Sequence, residues 1–277
     1  MSRFAGCILV SDLDGTLIGC DHSISGENIA AIQEFIAHGG RFLGATGRTE
    51  LNVRPYTVDI PLSSPWILYN GAAIYDWESR SFLYKAPLDR PRTEAFVRRV
   101  MAYLPEINIQ VYPGGPFCQV NPNGGDDITA VREGQDYENK PMEEIADDWL
   151  KVLFCSDHPE EINLIEAMFD TDPVCEKAHK THSGARYFEL TAPGVNKGSA
   201  LARLRLILDP APSCVVAIGD YINDVEMLLE ADIPAAPDSA LDMVKQHARI
   251  VTRSHAENAI ADLVDRLVNG AQLAANS

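Results

Sequence analysis

Six cysteines contain no C-x-x-C pair, and seven histidines form neither H-x-H nor H-E-x-x-H. The first absence removes the usual redox and zinc-ribbon spacings, and the second removes the common helix-borne zinc sites. Cys7, Cys20, Cys118, Cys155, Cys175 and Cys214 are scattered, three of them in apolar strand-like runs, so buried free thiols in a reducing compartment are expected. Positive charge is scarce: 23 Lys and Arg against 40 Asp and Glu leave a net charge of −17. Nucleic acid and anionic membrane surfaces call for a basic face, so both are excluded as partners; a small phosphorylated molecule is not, provided a cation offsets the local field. No apolar run reaches transmembrane length, and Arg3 to Val10 is too short for a signal peptide, which makes a cytoplasmic location the expectation. No G-x-G-x-x-G follows a strand-like run, which argues against a dinucleotide oxidoreductase. Internal repeats and low-complexity segments are also missing.

What is present starts at Cys7 to Val10, a continuous apolar run of the kind buried on both faces, which ends in Ser11-Asp12-Leu13-Asp14-Gly15-Thr16. Two carboxylates therefore stand at the C-terminal end of a strand, the edge where open parallel sheets bind ligands, with Gly15 allowing a tight turn. A helix cap or Asx turn containing two Asp gives the same pentapeptide, so its partners decide. Ser25 can cap a helix whose Ile29, Ile32, Phe35 and Ile36 share a face and which Gly39-Gly40 stops. Arg41 to Ala45 then forms a second strand ending in Thr46-Gly47-Arg48, which implies a right-handed β-α-β unit with both polar ends on one edge. Thr46 can also serve as the N-cap of a helix beginning near Glu50, a role compatible with anion binding there.

Trp66 to Tyr69 reads as a third strand, followed by the turn Asn70-Gly71-Ala72 and a hairpin of Ala73 to Tyr75 with Ser81 to Tyr84. From about Lys85 to Leu190 the pattern changes to a helix (Thr93 to Leu104), strands (Ile107 to Tyr112, Phe117 to Asn121), a Gly/Asp/Glu-rich loop, a strand (Leu150 to Ser156), a helix (Pro159 to Phe169) and strands (Val174 to Lys180, Ala185 to Thr191). Paired strands between helices predict an inserted α+β unit with an antiparallel sheet. At 277 residues the chain is where a single core usually splits in two.

After Pro193-Gly194 a helix runs from Asn196 to Leu208, with Lys197 in its first turn. A cation there opposes the helix dipole, so either an anion lies nearby or the lysine is a solvated surface residue. Cys214 to Ile218 is another buried strand, ending in Gly219-Asp220-Tyr221-Ile222-Asn223-Asp224; Asp224 can cap the helix that follows, whereas Asp220 lies in a loop that needs no cap. A strand near Ile233 to Ala235, a helix from Ser239, a strand Arg249 to Thr252, a helix carrying Ile260, Leu263, Val264 and Leu267, and a frayed tail from Gly270 to Ser277 complete the reading.

Strands ending in Asp-x-Asp, Thr and Gly-Asp-x-x-Asn-Asp, with a lysine opening a helix between the second and third, resemble the haloacid dehalogenase superfamily of phosphohydrolases in its order D-x-D-G-T, T-G-R, N-K-G, G-D-x-x-N-D. The Asn70-Gly71-Ala72 turn and the large insert are similar more narrowly to the Cof-type sugar-phosphate phosphatases. The resemblance implies an α/β, Rossmann-like parallel-sheet core of residues 1–84 and 191–277, with helices on both faces, and an inserted α+β cap of residues 85–190. Hinges are expected near Lys85 to Leu88 and Thr191 to Gly194, and cap loops near Gly114-Gly115 and His182-Ser183-Gly184 are expected against the substrate.

It also implies roles. Asp12 is the nucleophile that forms an aspartyl-phosphate, and a ligand of Mg²⁺; Asp14 is the general acid and then base, with its main-chain carbonyl on the metal. Asp220 ligates Mg²⁺, Asp224 holds a bound water, and Asn223 supports the phosphate or its loop. Thr46, the Gly47 amide and Lys197 neutralise the phosphate oxygens, and Arg48 and Asn70 contact phosphate or substrate. Crowded carboxylates raise one another's pKa, so a divalent cation is needed to keep them ionised, and Mg²⁺ suits an all-oxygen set. The expected activity is hydrolysis of a small phosphorylated metabolite, a sugar phosphate first, by a monomer or small homo-oligomer. A phosphomutase or phosphotransferase on the same scaffold and a catalytically silent metabolite-binding protein are the alternatives. Ala236-Pro237-Asp238 and Ala259 depart from the family pattern, outside the phosphate cradle.

Overall fold

The computed structural model describes residues 3–62, 64–127, 130–131, 134–145 and 148–269; the expected frayed tail lies outside them. In chain order the elements are β1 Cys7–Ser11, α1 Gly26–Ala37, β2 Arg41–Gly44, α2 Glu50–Val53, β3 Trp66–Leu68, β4 Ala73–Asp76, β5 Ser81–Lys85, α3 Arg90–Tyr103, β6 Asn108–Tyr112, β7 Phe117–Gln119, β8 Tyr137–Asn139, β9 Lys151–Cys155, α4 Pro159–Thr171, β10 His179–Gly184, β11 Tyr187–Thr191, α5 Lys197–Ile207, β12 Cys214–Ile218, α6 Val225–Glu230, β13 Ile233–Pro237, α7 Asp242–Lys245, β14 Ile250–Thr252 and α8 Ala259–Asn269.

β1 is buried at every position, as its unbroken apolar run predicts, and it lies within a parallel sheet of order β14-β13-β12-β1-β2. Two helix pairs, α1 with α8 and α5 with α6, pack around this sheet. Ser25 caps α1 by accepting the Asn28 N–H, as the sequence predicts, and α1 sends Ala31, Ile32 and Phe35 into the core, where Phe35 stacks on Phe4 at 4.5 Å. Because β1, β2 and β12 are parallel neighbours, the segments after Ser11, Gly44 and Ile218 emerge along one edge. The third predicted strand is shorter than expected and belongs elsewhere: β3, β4 and β5 form their own antiparallel sheet, tied to β2 through the single parallel bridge Ala45–Ile67.

The insert builds a six-stranded sheet of order β10-β11-β9-β6-β7-β8. It is antiparallel except between β7 and β8, which pair in parallel; β8 lies in the stretch expected to be loop. The expected strand from Val174 is instead a 3₁₀ turn, Pro173–Glu176, capped by Asp172 through the Val174 N–H, and the strand starts at His179. Asp followed by Pro favours that capped turn over an extended start. Likewise α3 begins at Arg90, because Asp89 caps it and Pro91 is tolerated in a first turn. The helix expected from Ser239 is the short α7, and of the six unpaired thiols Cys20 and Cys175 are exposed, contrary to the expectation of burial.

Alternation along the insert's strands sorts its two faces. Ile109 and Val111 of β6, Val152 and Phe154 of β9, and Phe188 and Leu190 of β11 form one apolar core with Phe96, Val97 and Val100 of α3 and Ile162, Ile165 and Phe169 of α4. The other face carries Asn108, Gln110 and Tyr112, then Lys151 and Leu153, then Tyr187 and Glu189. On an ordinary half-covered sheet such a face meets water. Here Gln110, Lys151 and Glu189 are 1%, 3% and 1% exposed, so something covers it.

One glycine tests how closely α5 and α6 fit. A Cβ on Gly198 would stand 2.3 Å from the Glu226 carbonyl oxygen. Alanine's helix preference alone would add about 1 kcal/mol of stability, but overpacking against backbone costs about 1–3 kcal/mol. Gly198→Ala is therefore expected to lower the unfolding free energy in urea by up to about 2 kcal/mol, and a more stable variant would show that the two helices separate freely.

Candidate active site

The C-terminal edge of the parallel sheet gathers the acidic residues. The Asp12 N–H donates to the Ile218 carbonyl at 2.9 Å, which fixes the end of β1 beside the end of β12. Gly15 then turns with φ +79°, and a Cβ there would meet Asp220 Oδ2 at 2.5 Å, so only glycine passes. Thr16 Oγ1 donates to Asp220 Oδ1 at 3.0 Å. One carboxylate oxygen from each of Asp12, Asp220 and Asp224 lies within 4.8 Å of the others.

Lys197 enters this group from the first turn of α5, whose N-cap Asn196 accepts the Ser199 N–H while Ser199 Oγ accepts the Asn196 N–H. Its Nζ donates to Asp12 Oδ1 at 2.5 Å and to Asp224 Oδ1 at 2.6 Å, and it is 1% exposed. The solvated-lysine reading is thereby overturned. Burial works against the Lys197 charge, but Asp12 and Asp224 outweigh it and hold the ammonium above its usual range. Burial and then Asp224 push the Asp12 carboxyl well above the usual carboxylate range, and the same two causes push Asp220 up to about 7.

Asp224 does not cap α6. Its Oδ2 accepts the N–H groups of Asp220 and Tyr221 at 2.9 and 3.1 Å, so the side chain folds back to fix the loop that carries Asp220. Asp14 stands apart from the buried acids: its side chain is half-exposed and lies in a two-pronged pair with Arg48, Nε to Oδ2 at 2.8 Å and Nη2 to Oδ1 at 2.7 Å. Thr46 is buried and its Oγ1 accepts the Arg48 N–H; the N-cap expected of it belongs to Thr49, which accepts the Asn52 N–H at the start of α2. Three carboxylates against one ammonium leave an excess of negative charge on an all-oxygen donor set, which fits a hard divalent cation.

Above these residues sits the polar face of the six-stranded sheet, and between them is a cavity of about 290 Å³. Asp12, Asp14, Thr46, Gly47, Arg48 and Asn223 line it from the parallel-sheet side; Tyr112, Asp127, Lys151, Tyr187 and Glu189 line it from the insert. Lys151 Nζ donates to the Gly47 carbonyl at 2.9 Å, pairs with Glu189 at 3.0 Å and lies 4.4 Å from the Tyr112 ring centroid. Asn70, in left-handed backbone with φ 53°, donates from Nδ2 to Glu189 Oε2 at 2.8 Å and accepts on Oδ1 from Asn223 Nδ2 at 3.1 Å. Asn70 and Asn223 thus tie the two sheets together. The expected loop at His182-Ser183-Gly184 is the end of strand β10, and its Ser183 lines the cavity and hydrogen-bonds Glu189, whereas Gly114-Gly115 is not in the lining: the Gly115 N–H is held by Glu50 Oε1 at 2.9 Å, and the other oxygen of Glu50 takes the Tyr69 hydroxyl.

Tyr112, Asp127, Lys151, Tyr187, Glu189 and Glu50 were not anticipated as site residues from the sequence. The signal for Tyr112, Lys151, Tyr187 and Glu189 was the polar half of the alternation in 108–112, 151–155 and 187–191, which reads equally as a solvated face; Asp127 and Glu50 lie outside those strands and had none.

A family model for haloacid dehalogenase-like hydrolases matches residues 9–264, almost the whole of the chain. The chain belongs to that family. It is a hydrolase by that membership, and the family suggested by the motifs stands. Two Bacillus subtilis proteins named 5-amino-6-(5-phospho-D-ribitylamino)uracil phosphatase, YcsE and YwtE, are 27% and 29% identical to it over 258 and 294 residues, which span 93% and 95% of this chain and 94% and 98% of theirs. A haloacid dehalogenase-like hydrolase from Bacteroides thetaiotaomicron superposes with a TM-score of 0.81 at 23% identity, covering 94% of this chain and 98% of that one, and one from B. subtilis with 0.81 at 22%, covering 94% and 99%. These likenesses are of fold. Among the described residues no helix is long and apolar enough to cross a membrane.

The raised Asp220 gives a signed test. An acid that holds its proton more tightly when folded (about 7 against the usual 3.8) contributes stability that is full below about pH 4 and lost as pH rises through about 7. In EDTA the melting temperature is therefore expected to fall between pH 5 and pH 8, and added MgCl₂ to restore it at pH 8 while changing little at pH 5. An equal effect of MgCl₂ at both pH values would put the cation elsewhere.

Proposed function

We propose that this hydrolase is a Mg²⁺-dependent phosphatase that releases phosphate from a small phosphorylated metabolite through an aspartyl-phosphate on Asp12. The observation that carries the reading is Lys197, buried and held between Asp12 and Asp224 at the sheet edge that also supplies Thr46. In this reading an Asp12 oxygen attacks phosphorus, and the phosphoryl oxygens are met by Lys197, the Thr46 hydroxyl and the Gly47 amide. Asp14 gives the leaving oxygen its proton and then takes one from the hydrolytic water. Arg48 holds Asp14 by both carboxylate oxygens at the cavity wall; an incoming phosphate competes for that guanidinium and frees Asp14 to take up from solvent the proton that it then gives the leaving oxygen. Asp12 and Asp220, with the Asp14 carbonyl and Asp224 in support, would hold Mg²⁺, which when bound supplies the charge that keeps these carboxylates ionised beside a phosphate.

Residues 85–190 serve as a cap over a core of 1–84 and 191–277, excluding water and choosing the leaving group. The cap wall offers Asp127, Glu189 and the hydroxyls of Tyr112, Tyr187 and Ser183, and among the described residues its one lining ammonium, Lys151, already engages Glu189 and the Gly47 carbonyl. Such a wall suits an uncharged, hydroxyl-rich group and repels a second anion. A sugar or sugar-alcohol phosphate has that chemistry, and the phospho-ribityl compound in the names of the B. subtilis relatives has it too. The free thiols agree with a cytoplasmic enzyme, which in this reading acts as a monomer or small homo-oligomer.

Phosphate release from a panel of sugar phosphates, sugar bisphosphates and an aryl phosphate tests this. Release is expected with MgCl₂, none with EDTA, and a loss of at least about 10³-fold in kcat for Asp12→Asn. Metal-dependent release that survives Asp12→Asn would remove the aspartyl-phosphate. On the same panel Glu189→Gln is expected to raise KM for sugar phosphates about tenfold with a smaller change in kcat, and to relax discrimination against bisphosphates. An unchanged substrate ranking would take the cap wall out of selection.

A further inference from the structure

Away from the phosphate site, the loop that follows Ile18 and the 3₁₀ turn His255–Glu257 bring together side chains separated by 235 residues. Cys20 is exposed, and its Sγ lies 3.2 Å from His255 Nε2. The imidazole is itself oriented: Ser239 Oγ lies 2.9 Å from Nδ1 and accepts the His255 main-chain N–H at 3.2 Å. With the ring proton on Nδ1 facing Ser239, Nε2 turns its lone pair to the Cys20 thiol. A nucleophile within hydrogen-bond reach of a base, the base held by a third group, is the arrangement that activates a thiol. Cys20 and His255 also border a separate cavity of about 290 Å³, with Leu17, Ser25 and Asn28 on its walls.

We propose that Cys20 is a modification site, a thiol that His255 activates toward peroxides and small soft electrophiles. With hydrogen peroxide, the sulfur attacks one peroxide oxygen, the S–O bond forms and the O–O bond breaks. The thiol proton passes through His255 to the departing oxygen, which leaves as water. Sulfur is oxidised to the sulfenic acid and the peroxide is reduced. With a haloacetamide the S–C bond forms, halide leaves, and His255 takes the proton. The site stands independently of the phosphatase reading, since neither Cys20, His255 nor Ser239 lines the cavity between the two sheets.

The protein carries its own control. Cys175 is likewise exposed, on the turn Pro173–Glu176, and among the described residues no hydrogen bond joins its sulfur to a histidine. Full-length native protein treated with limiting iodoacetamide, then digested and read by peptide mass spectrometry, is expected to label Cys20 about tenfold faster than Cys175, a modest share of what a positioned base can give. His255→Asn should bring Cys20 to within about twofold of Cys175, and Ser239→Ala should fall between, while phosphate release stays at the wild-type level in both. Peroxide followed by dimedone should tag Cys20 and spare Cys175. Equal labelling of the two thiols in the wild type, or a Cys20 rate unchanged in His255→Asn, overturns the proposal; should that variant fail to fold, the wild-type ratio and Ser239→Ala decide.

Discussion

Everything at the sheet edge depends on one ammonium among three carboxylates. Lys197 is nearly inaccessible to water and is held by Asp12 and Asp224, so removing it would leave two buried carboxylates facing each other, a far larger penalty than the net worth of the pair. Its position follows from chain connectivity. The Asn196 cap fixes the first turn of α5, Gly198 lets α5 close on α6, and α6 follows directly from the loop that Asp224 fixes. Local helix chemistry, helix packing and loop geometry therefore converge on a single nitrogen atom. The excess negative charge that remains is what fits the edge for a divalent cation.

The second constraint is the seam between the two sheets. Lys151 and Glu189 are both buried, and breaking such a pair is costlier than never having made it. The pair is satisfied on every side: Glu189 also receives Asn70 and Ser183, and Lys151 also reaches the Gly47 carbonyl. Because Gly47 follows Thr46, the position of the insert is registered directly on the loop proposed to cradle the phosphate.

The acidic edge was legible because its chemistry is local in sequence. Asp12 and Asp14, Thr46, Lys197, Asp220 and Asp224 each sit at the end of a clear apolar run or at the start of a clear helix, and parallel pairing of β1, β2 and β12 brings those ends together without further information. The two sheets of the insert and the core were readable for the same reason. What stayed hidden depends on partners far along the chain. Thr46 and Thr49 are both good caps, and only the backbone path of the turn selects Thr49. Asn70 looks like turn chemistry and is that, but its side chain also joins Glu189 to Asn223, which no local pattern encodes. β8 is three residues of mixed polarity and exists because β7 offers it an edge.

The alternation of the insert's strands separates two kinds of inheritance. Along β6, β9 and β11, one set of positions holds α3 and α4 in place, and the interleaved set supplies Tyr112, Lys151, Leu153, Tyr187 and Glu189 to the cavity. Cavity-facing positions of these strands can change without touching the apolar core, apart from Lys151 and Glu189, whose buried pair also registers the insert on Gly47. The letters at the acidic edge have no such freedom, since each serves its neighbours at once. The packing of the insert and its proposed choice of substrate thus rest on alternate residues of the same strands, while the proposed chemistry rests on the acidic edge.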